Sequence, residues 1–252
     1  APVMVVVLLS FNSARHGMAW EGFSLEWHRA LFQNPAILEA FGNSLILAVV
    51  STLIALPLGI GIVLGFGRNR WRGLEWLRTL IQLPALLPDI VMAAALLIFA
   101  QTARSTLGVL DLGMTAMVLG HVSFQIPFVA VVVGARYLRL DPALEEAARD
   151  LGAPPIQVLR TVTLPLLSSS ILAAGLVCVA LSLDDFIVSF FASGPGSTTL
   201  PILIHASVRR GLTPEIHALS TWLVFAAALL AIAASRRSLF DRPIGPHNNG
   251  LT

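Results

Sequence analysis

The sequence predicts an all-α polytopic membrane protein of about six transmembrane helices. Two observations lead there. Of its 252 residues 56% are hydrophobic and only 12% charged, against roughly 25% charged in a soluble domain, a deficit too large for a wetted surface. Apolar runs near the roughly 20 residues that cross a bilayer as a helix recur along the chain. A greasy soluble core is the competing reading, and the repetition of such runs argues against it.

Ala1–Ser10 is apolar but short. It reads as the outer end of a first helix, and it lacks the charged leader and cleavage pattern of a signal peptide. A polar stretch from Phe11 to Phe41 follows. Within it Leu25–Phe32 is amphipathic and suits the membrane interface. Five further spans are expected over Gly42–Phe66, Thr79–Gln101, Met114–Ala135, Ser168–Ser193 and Ile216–Ala234. Ser168–Ser170 reads as the start of the fifth. Pro57, Pro84, Pro88 and Pro127 fall inside spans, where neighbouring groups satisfy the carbonyls they free. Gly61 and Gly65 form a GxxxG pair suited to close helix contact. The spans show no internal repeat, which argues against a carrier built from inverted halves.

All sixteen basic residues are arginine. Without lysine the chain cannot form a Walker A nucleotide site, so any ATP-driven task needs a partner that hydrolyses the nucleotide. Eleven arginines lie in Gly67–Arg78, Arg136–Leu167 and the tail after Ala234, against five in the other loops. The arginine-rich side is cytoplasmic by the positive-inside rule, which places both termini inside. A net charge of +2 gives no case for nucleic acid. The lone Cys178 reads as a small core residue. His16, His28, His121, His205, His217 and His247 show no metal-ligand spacing, and His121 is expected to hydrogen-bond across helices. No nucleophile elbow, His-Glu-x-x-His or dinucleotide loop is present, so no catalytic residue is assigned.

The loop 136–167 carries the strongest local pattern. Asp141 is placed to cap a helix that Pro142 begins, and Glu145 and Glu146 suit its first turn. Leu144, Ala147, Ala148 and Leu151 line one apolar face, Gly152 ends the helix, and Pro154-Pro155 starts a second helical segment. Such a face either docks into a partner's groove or lies on lipid.

Acids inside spans cost at least about 2.5–3.5 kcal/mol at a helix centre and are functional candidates. Asp89 is expected near the middle of the third span, and Asp184 and Asp185 in the outer half of the fifth. No arginine or lysine lies within a span to neutralise them. Adjacent helical residues point about 100° apart, so one of Asp184 and Asp185 can line a pathway while the other caps backbone. A cation would satisfy such carboxylates, with Phe186 and Phe190 available for cation–π or methylene contact. Hydrogen bonding to backbone freed at Pro88 or at helix ends is the alternative.

Glu146-Ala147-Ala148, Gly152 after three residues, and Val162-Thr163-Leu164-Pro165 after nine more resemble the EAA signature of ABC importer permeases, with Val162 where isoleucine is usual. Ser182–Asp185, Ser189–Phe191, Gly194–Gly196, Leu200-Pro201, Thr213–Leu219, Ser10–Ser13, Trp20–Phe23 and Pro88–Met92 look like the spermidine/putrescine permeases of the PotC type, in collinear order. His217 stands where that family often has asparagine, and Asp241–Thr252 matches nothing in it.

The resemblance implies a type I ABC importer permease fold over the whole chain, 1–252, with a coupling loop at 136–167 and a cytoplasmic tail at 235–252. It implies that Glu145, Glu146, Ala147, Ala148, Gly152, Leu164 and Pro165 couple to an ATPase, and that Asp89, Asp184, Asp185, Phe186 and Phe190 line a polyamine pathway. It further implies a bacterial inner-membrane location and a heterodimer with a second permease. Two ATPase subunits holding ATP and magnesium, and a periplasmic polyamine-binding protein docking near Gly194–Glu215, would complete the assembly. The chain itself would hold no metal or cofactor and catalyse nothing. The same architecture importing another organic cation or ferric iron is one alternative; a stand-alone channel or an intramembrane enzyme is another.

Overall fold

The computed structural model describes residues 2–14, 19–66, 74–210, 214–225 and 228. The described residues are helical apart from turns and one isolated antiparallel bridge, Asn12 to Phe23. Among the described residues four helices, against the six or so expected of the whole chain, are long and apolar enough to cross a membrane: Pro35–Phe66 (α3), Asp89–Leu107 (α5), Met114–Tyr137 (α6) and a continuous helix over Pro155–Asp184. Two compact units divide the chain, Ala36–His205 and the terminal pair Ala1–Pro35 with Ala206–Thr252.

In the terminal unit, Pro2–Leu9 (α1) and Glu26–Gln33 (α2) are helical, the latter over the expected amphipathic run. Asn12 organises the turn between them. Its Nδ2 donates to the Ala19 carbonyl at 2.7 Å, its Oδ1 accepts from Glu21 N at 2.9 Å, and its carbonyl accepts from Trp27 Nε1 at 2.9 Å. Asn34 Nδ2 donates to Glu215 Oε2 at 3.1 Å, and Phe32 meets Trp222 edge to face. The expected sixth span is helical over 214–225 and at 228, with the rest outside the described residues. The arginines of 67–73 and the tail 235–252 also lie outside them.

In the larger unit, α3 ends at Phe66 as expected but starts at Pro35, seven residues before Gly42. Proline is favoured at a first helical position, where its missing N–H costs nothing. The third expected span is not one helix. It divides into Leu74–Leu86 (α4) and α5, because Pro88 takes φ −56°, ψ 138° and disfavours helical geometry at Leu87. Asp89 is therefore the first residue of a helix rather than the middle of one. Pro57, Pro84 and Pro127 stay inside continuous helices.

After α6, Pro142–Asp150 (α7) is capped as expected, Asp141 Oδ1 accepting from Ala143 N at 2.9 Å. Gly152 then takes φ +84°, a left-handed conformation that closes the helix end. The next helix starts at Pro155 (α8, Pro155–Val158), passes through a π-helical turn at Leu159–Thr163, and continues as Leu164–Asp184 (α9). Ser168–Ser170 is thus interior to a helix and not its start. Ser168 Oγ instead donates back to the Pro165 carbonyl at 2.7 Å, the local bond that lets serine sit within a helix.

The fifth expected span also ends early. α9 stops at Asp184, and a separate helix, Ile187–Ala192 (α10), follows. Leu200–Arg210 (α11) occupies what the sequence presents as a loop.

The central helix is α6, more than half buried and packed on α4, α5, α9 and α10. One core cluster joins Val63, Val129, Val133, Leu167, Ala174 and Cys178; another joins Leu47, Ala116, Met117 and Ala192. Gln125 is fully buried between them, its Nε2 donating to Ser51 Oγ at 3.0 Å and the Cys178 carbonyl at 3.1 Å. The close approach of α3 to α6 falls at Gly59, not at the GxxxG pair. A Cβ on Gly59 would lie 2.6 Å from Val129 Cβ, whereas one on Gly61 or Gly65 would meet nothing within 4 Å. Gly59→Ala should therefore cost about 1–3 kcal/mol of overpacking strain and lower the thermal midpoint in detergent. Gly61→Ala serves as the control and should leave that midpoint unchanged or slightly raised.

Candidate functional site

Both helix breaks open on one cavity. Its volume is about 410 Å³, and its lining includes Pro84, Leu87 and Asp89 from the α4–α5 break, Phe124 and Phe128 from α6, and Asp184, Asp185 and Phe186 from the α9–α10 break. In a bilayer, non-helical backbone is tolerated where it lines a cavity or is buried in protein. Discontinuous helices meeting at such a cavity are the usual frame of a solute site in transporters.

The three predicted acids come together here in different states. Asp89 and Asp184 are exposed to the cavity, and among the described residues their carboxylates carry no hydrogen bond or ion pair. Asp184 is the last residue of α9, whose terminal carbonyls make that end the negative pole of the helix. Asp185 is largely buried and tightly held. Its Oδ2 accepts from Ser189 N and Ser189 Oγ, both at 2.8 Å, and its Oδ1 accepts from Val188 N at 3.3 Å. Asp185 thus caps the start of α10, as the sequence allows for one of the adjacent pair.

His121, fully buried in α6, completes this cluster. Its Nε2 lies 3.2 Å from Asp185 Oδ2 and 2.9 Å from Ser189 Oγ, and its Nδ1 lies 2.8 Å from Ser182 Oγ. It hydrogen-bonds across helices as expected, and among the described residues no three side chains of metal-ligand type converge.

Of the aromatic residues, Phe186 lines the cavity and packs at a tilt of 34° against both Phe190, with ring centroids 5.3 Å apart, and His205, at 4.4 Å. Phe190 does not line the cavity and is half exposed. Phe124 and Phe128 are not among the predicted pathway residues. Their i, i+4 spacing puts them on one face of α6, the single signal in the sequence that marks them. Asn43 and Ser44 are also unforeseen: Asn43 Nδ2 donates to the Gly196 and Thr198 carbonyls and Ser44 Oγ accepts from Leu200 N, fastening the Gly194–Leu200 loop to α3.

The loop helix α7 turns most of its apolar stripe outward. Leu144, Ala147 and Leu151 are exposed, Leu151 at 90%, and Ala148 is half-buried. Glu146 is exposed as well. Glu145 points inward, where Oε1 accepts from Thr163 Oγ1 at 2.9 Å and Oε2 lies 3.7 Å from Arg149 Nη2. This bond ties α7 to the π-helical turn directly before Leu164 and Pro165. π-Turns inside helices mark functional positions more often than chance.

The matches to known proteins agree with this geometry. The family model for the binding-protein-dependent transport system inner membrane component matches residues 55–239. The putrescine transport system permease protein PotI of Escherichia coli K12 is 38% identical over 93% of this chain and 84% of its own length. The spermidine/putrescine transport system permease protein PotC of the same strain is 35% identical over 92% of this chain and 86% of its own. The crystal structure of a bacterial ABC transporter involved in the import of the acidic polysaccharide alginate superposes with a TM-score of 0.74, at 19% identity, over 93% of this chain and 88% of that one. The same fold recurs, with a TM-score of 0.72, in the alginate transporter in complex with its alginate-bound periplasmic protein, at 20% identity over 93% and 87% of the two chains. At these identities the solved structures speak for the fold alone.

Removing the Asp185 side chain leaves buried donors unpaired, whereas Asp184 has no such donors. Asp185→Ala should destabilise the protein by about 1.5–3 kcal/mol and Asp184→Ala by much less, a difference read from unfolding midpoints in detergent.

Proposed function

Because this chain belongs to the binding-protein-dependent transport system inner membrane component family and is a multi-pass permease subunit, we propose that it forms half of the pathway of an ATP-driven polyamine importer. The observation that carries the choice of solute is the cavity between the two helix breaks. It offers unpaired carboxylates, the negative end of α9, and aromatic rings. A linear polyamine matches that lining: ammonium groups meet Asp89 and Asp184, and methylenes or cation–π contacts meet Phe124, Phe128 and Phe186. Asp185 contributes as the organiser of this wall, and Phe190 supports Phe186 from behind. The relatives named for putrescine and spermidine transport support the same reading.

Drive comes from outside the chain. In this reading Leu144, Ala147 and Ala148 of α7, with Leu151 just after it, occupy a groove on a cytoplasmic ATPase that holds ATP and magnesium, with Glu146 and Gly152 shaping the contact. Nucleotide-driven closure of two such ATPases moves α7. Glu145 passes that motion to the π-turn and so to Leu164, Pro165 and α9, which ends at the cavity. A related second permease supplies the other half of the pathway. A periplasmic polyamine-binding protein delivers solute on the face that carries Gly194–Glu215. The loop 136–167 and both termini are then cytoplasmic, and the whole chain acts as one permease domain.

The test is uptake of labelled putrescine and spermidine into proteoliposomes holding the assembled importer. Asp184→Asn and Asp89→Asn should each raise the half-saturating concentration by about tenfold, the worth of a hydrogen bond to a charged group. Wild-type values in both variants would remove the cavity from the pathway, and uptake of ferric iron or another organic cation in place of polyamines would redirect the solute assignment. Separately, Gly152→Pro forces a fixed negative φ on a left-handed position, and Glu146→Lys reverses a charge on the exposed face. Both should insert normally and lose ATP-driven uptake; unchanged uptake would refute the coupling role, and uptake by the purified chain alone would identify a channel.

A further inference from the structure

The hydrogen-bond geometry around His121 fixes where its proton sits. The Ser189 hydroxyl has one proton, and its oxygen lies 2.8 Å from Asp185 Oδ2, which as a carboxylate only accepts. Ser189 therefore donates to Asp185 and has only lone pairs left for His121 Nε2, 2.9 Å away. Two acceptors now face Nε2, Ser189 Oγ and Asp185 Oδ2. Nε2 must be the protonated nitrogen, whatever the charge of the ring. Nδ1 faces Ser182 Oγ, which can serve as either partner.

We propose that His121 is a positioning residue for the cavity: its Nε2–H holds the Asp185 carboxylate, and with it the α9–α10 break, in the one arrangement that presents Asp184 and Phe186 to the solute. The proposal rests on the polyamine reading above and adds a residue that does not itself line the cavity. Asp185 sits between Asp184 and Phe186 in sequence, so the backbone it caps carries both. The Asp185 carboxylate accepts three hydrogen bonds, from Val188 N, Ser189 N and Ser189 Oγ, and lies 3.2 Å from His121 Nε2, whose one proton faces both it and Ser189 Oγ. The three bonds come from α10 itself. Among the described residues only the histidine anchors the cap to another helix, the central α6. Losing that one donor, which faces both Asp185 Oδ2 and Ser189 Oγ, frees the break to shift against α6 while α10 keeps its cap. A flexible dication bound by two carboxylates gains affinity when their separation is fixed beforehand, so the loss should appear in half-saturation more than in turnover.

Two isosteres separate the nitrogens. The amide nitrogen of glutamine reaches the Nε2 position, and that of asparagine the Nδ1 position. In the reconstituted importer, His121→Gln should leave the half-saturating concentration for putrescine at the wild-type value. His121→Asn should raise it by about tenfold, the order expected for one hydrogen bond to a buried charged group, with turnover per assembled complex retained. Ser182→Ala leaves the ring in place and removes only the Nδ1 partner. It should give a rise of about threefold, and it stands in if His121→Asn does not assemble. Independently of any solute, ¹⁵N-histidine spectra of the protein in nanodiscs should show a protonated Nε2 for His121. An unprotonated Nε2, equal effects of the glutamine and asparagine variants, or unchanged half-saturation in both His121→Asn and Ser182→Ala would each overturn the proposal. Failure of wild type to import either polyamine would count against the solute reading instead, and the spectrum would still decide the histidine's role.

Discussion

A helix that breaks inside a bilayer frees backbone groups that water cannot reach, and the rest of this protein is arranged around meeting that demand twice. At Leu87–Pro88 the break opens directly on a cavity, so the exposed groups face a polar space. At Asp184–Phe186 a side chain does the work: the Asp185 carboxylate takes the first free N–H groups of α10. The cost of burying that carboxylate is offset by the serine and histidine that surround it. The cavity exists because both breaks fall at the same place, and the free acids face it because they sit at the broken ends.

The central helix α6 makes this arrangement possible. His121 fastens the second break, Phe124 and Phe128 form a cavity wall, Gln125 ties α3 to α9, and Val129 meets the flat surface at Gly59. Nine residues of one helix thus carry polar anchoring, cavity lining and close packing on different faces. The same helix leads into the loop with α7, where Glu145 and Thr163 join the exposed helix to the π-turn and the span that ends at Asp184. A hydrogen bond and an unbroken run of helix therefore link an exposed apolar surface to the cavity.

Most of the fold was legible because it rests on local rules. Composition gave the membrane, run length gave α3 and α6 nearly whole but only parts of the other spans, and Asp141, Pro142 and Gly152 gave α7 its ends, each through a cap or a backbone preference. Errors came where a rule has two outcomes. Proline bends some helices and ends others: Pro57 and Pro127 stay inside continuous helices, while Pro88 terminates one. Serine starts helices and also sits inside them, and Ser168 does the latter. Nothing local tells these cases apart, since the neighbours that satisfy freed carbonyls arrive from distant segments.

By itself the sequence determined the class of protein, the loop pattern with its glycine and proline punctuation, and the presence of three costly acids, because hydropathy, charge and backbone preference act over a few residues. Only the tertiary structure decided which acid is free. Asp184 and Asp185 are adjacent and chemically identical, and their difference arises from a histidine sixty-four residues before Asp185 and a serine four residues after it. A carboxylate is a binding group or a structural cap according to which donors fold onto it, and that is a property of packing between helices.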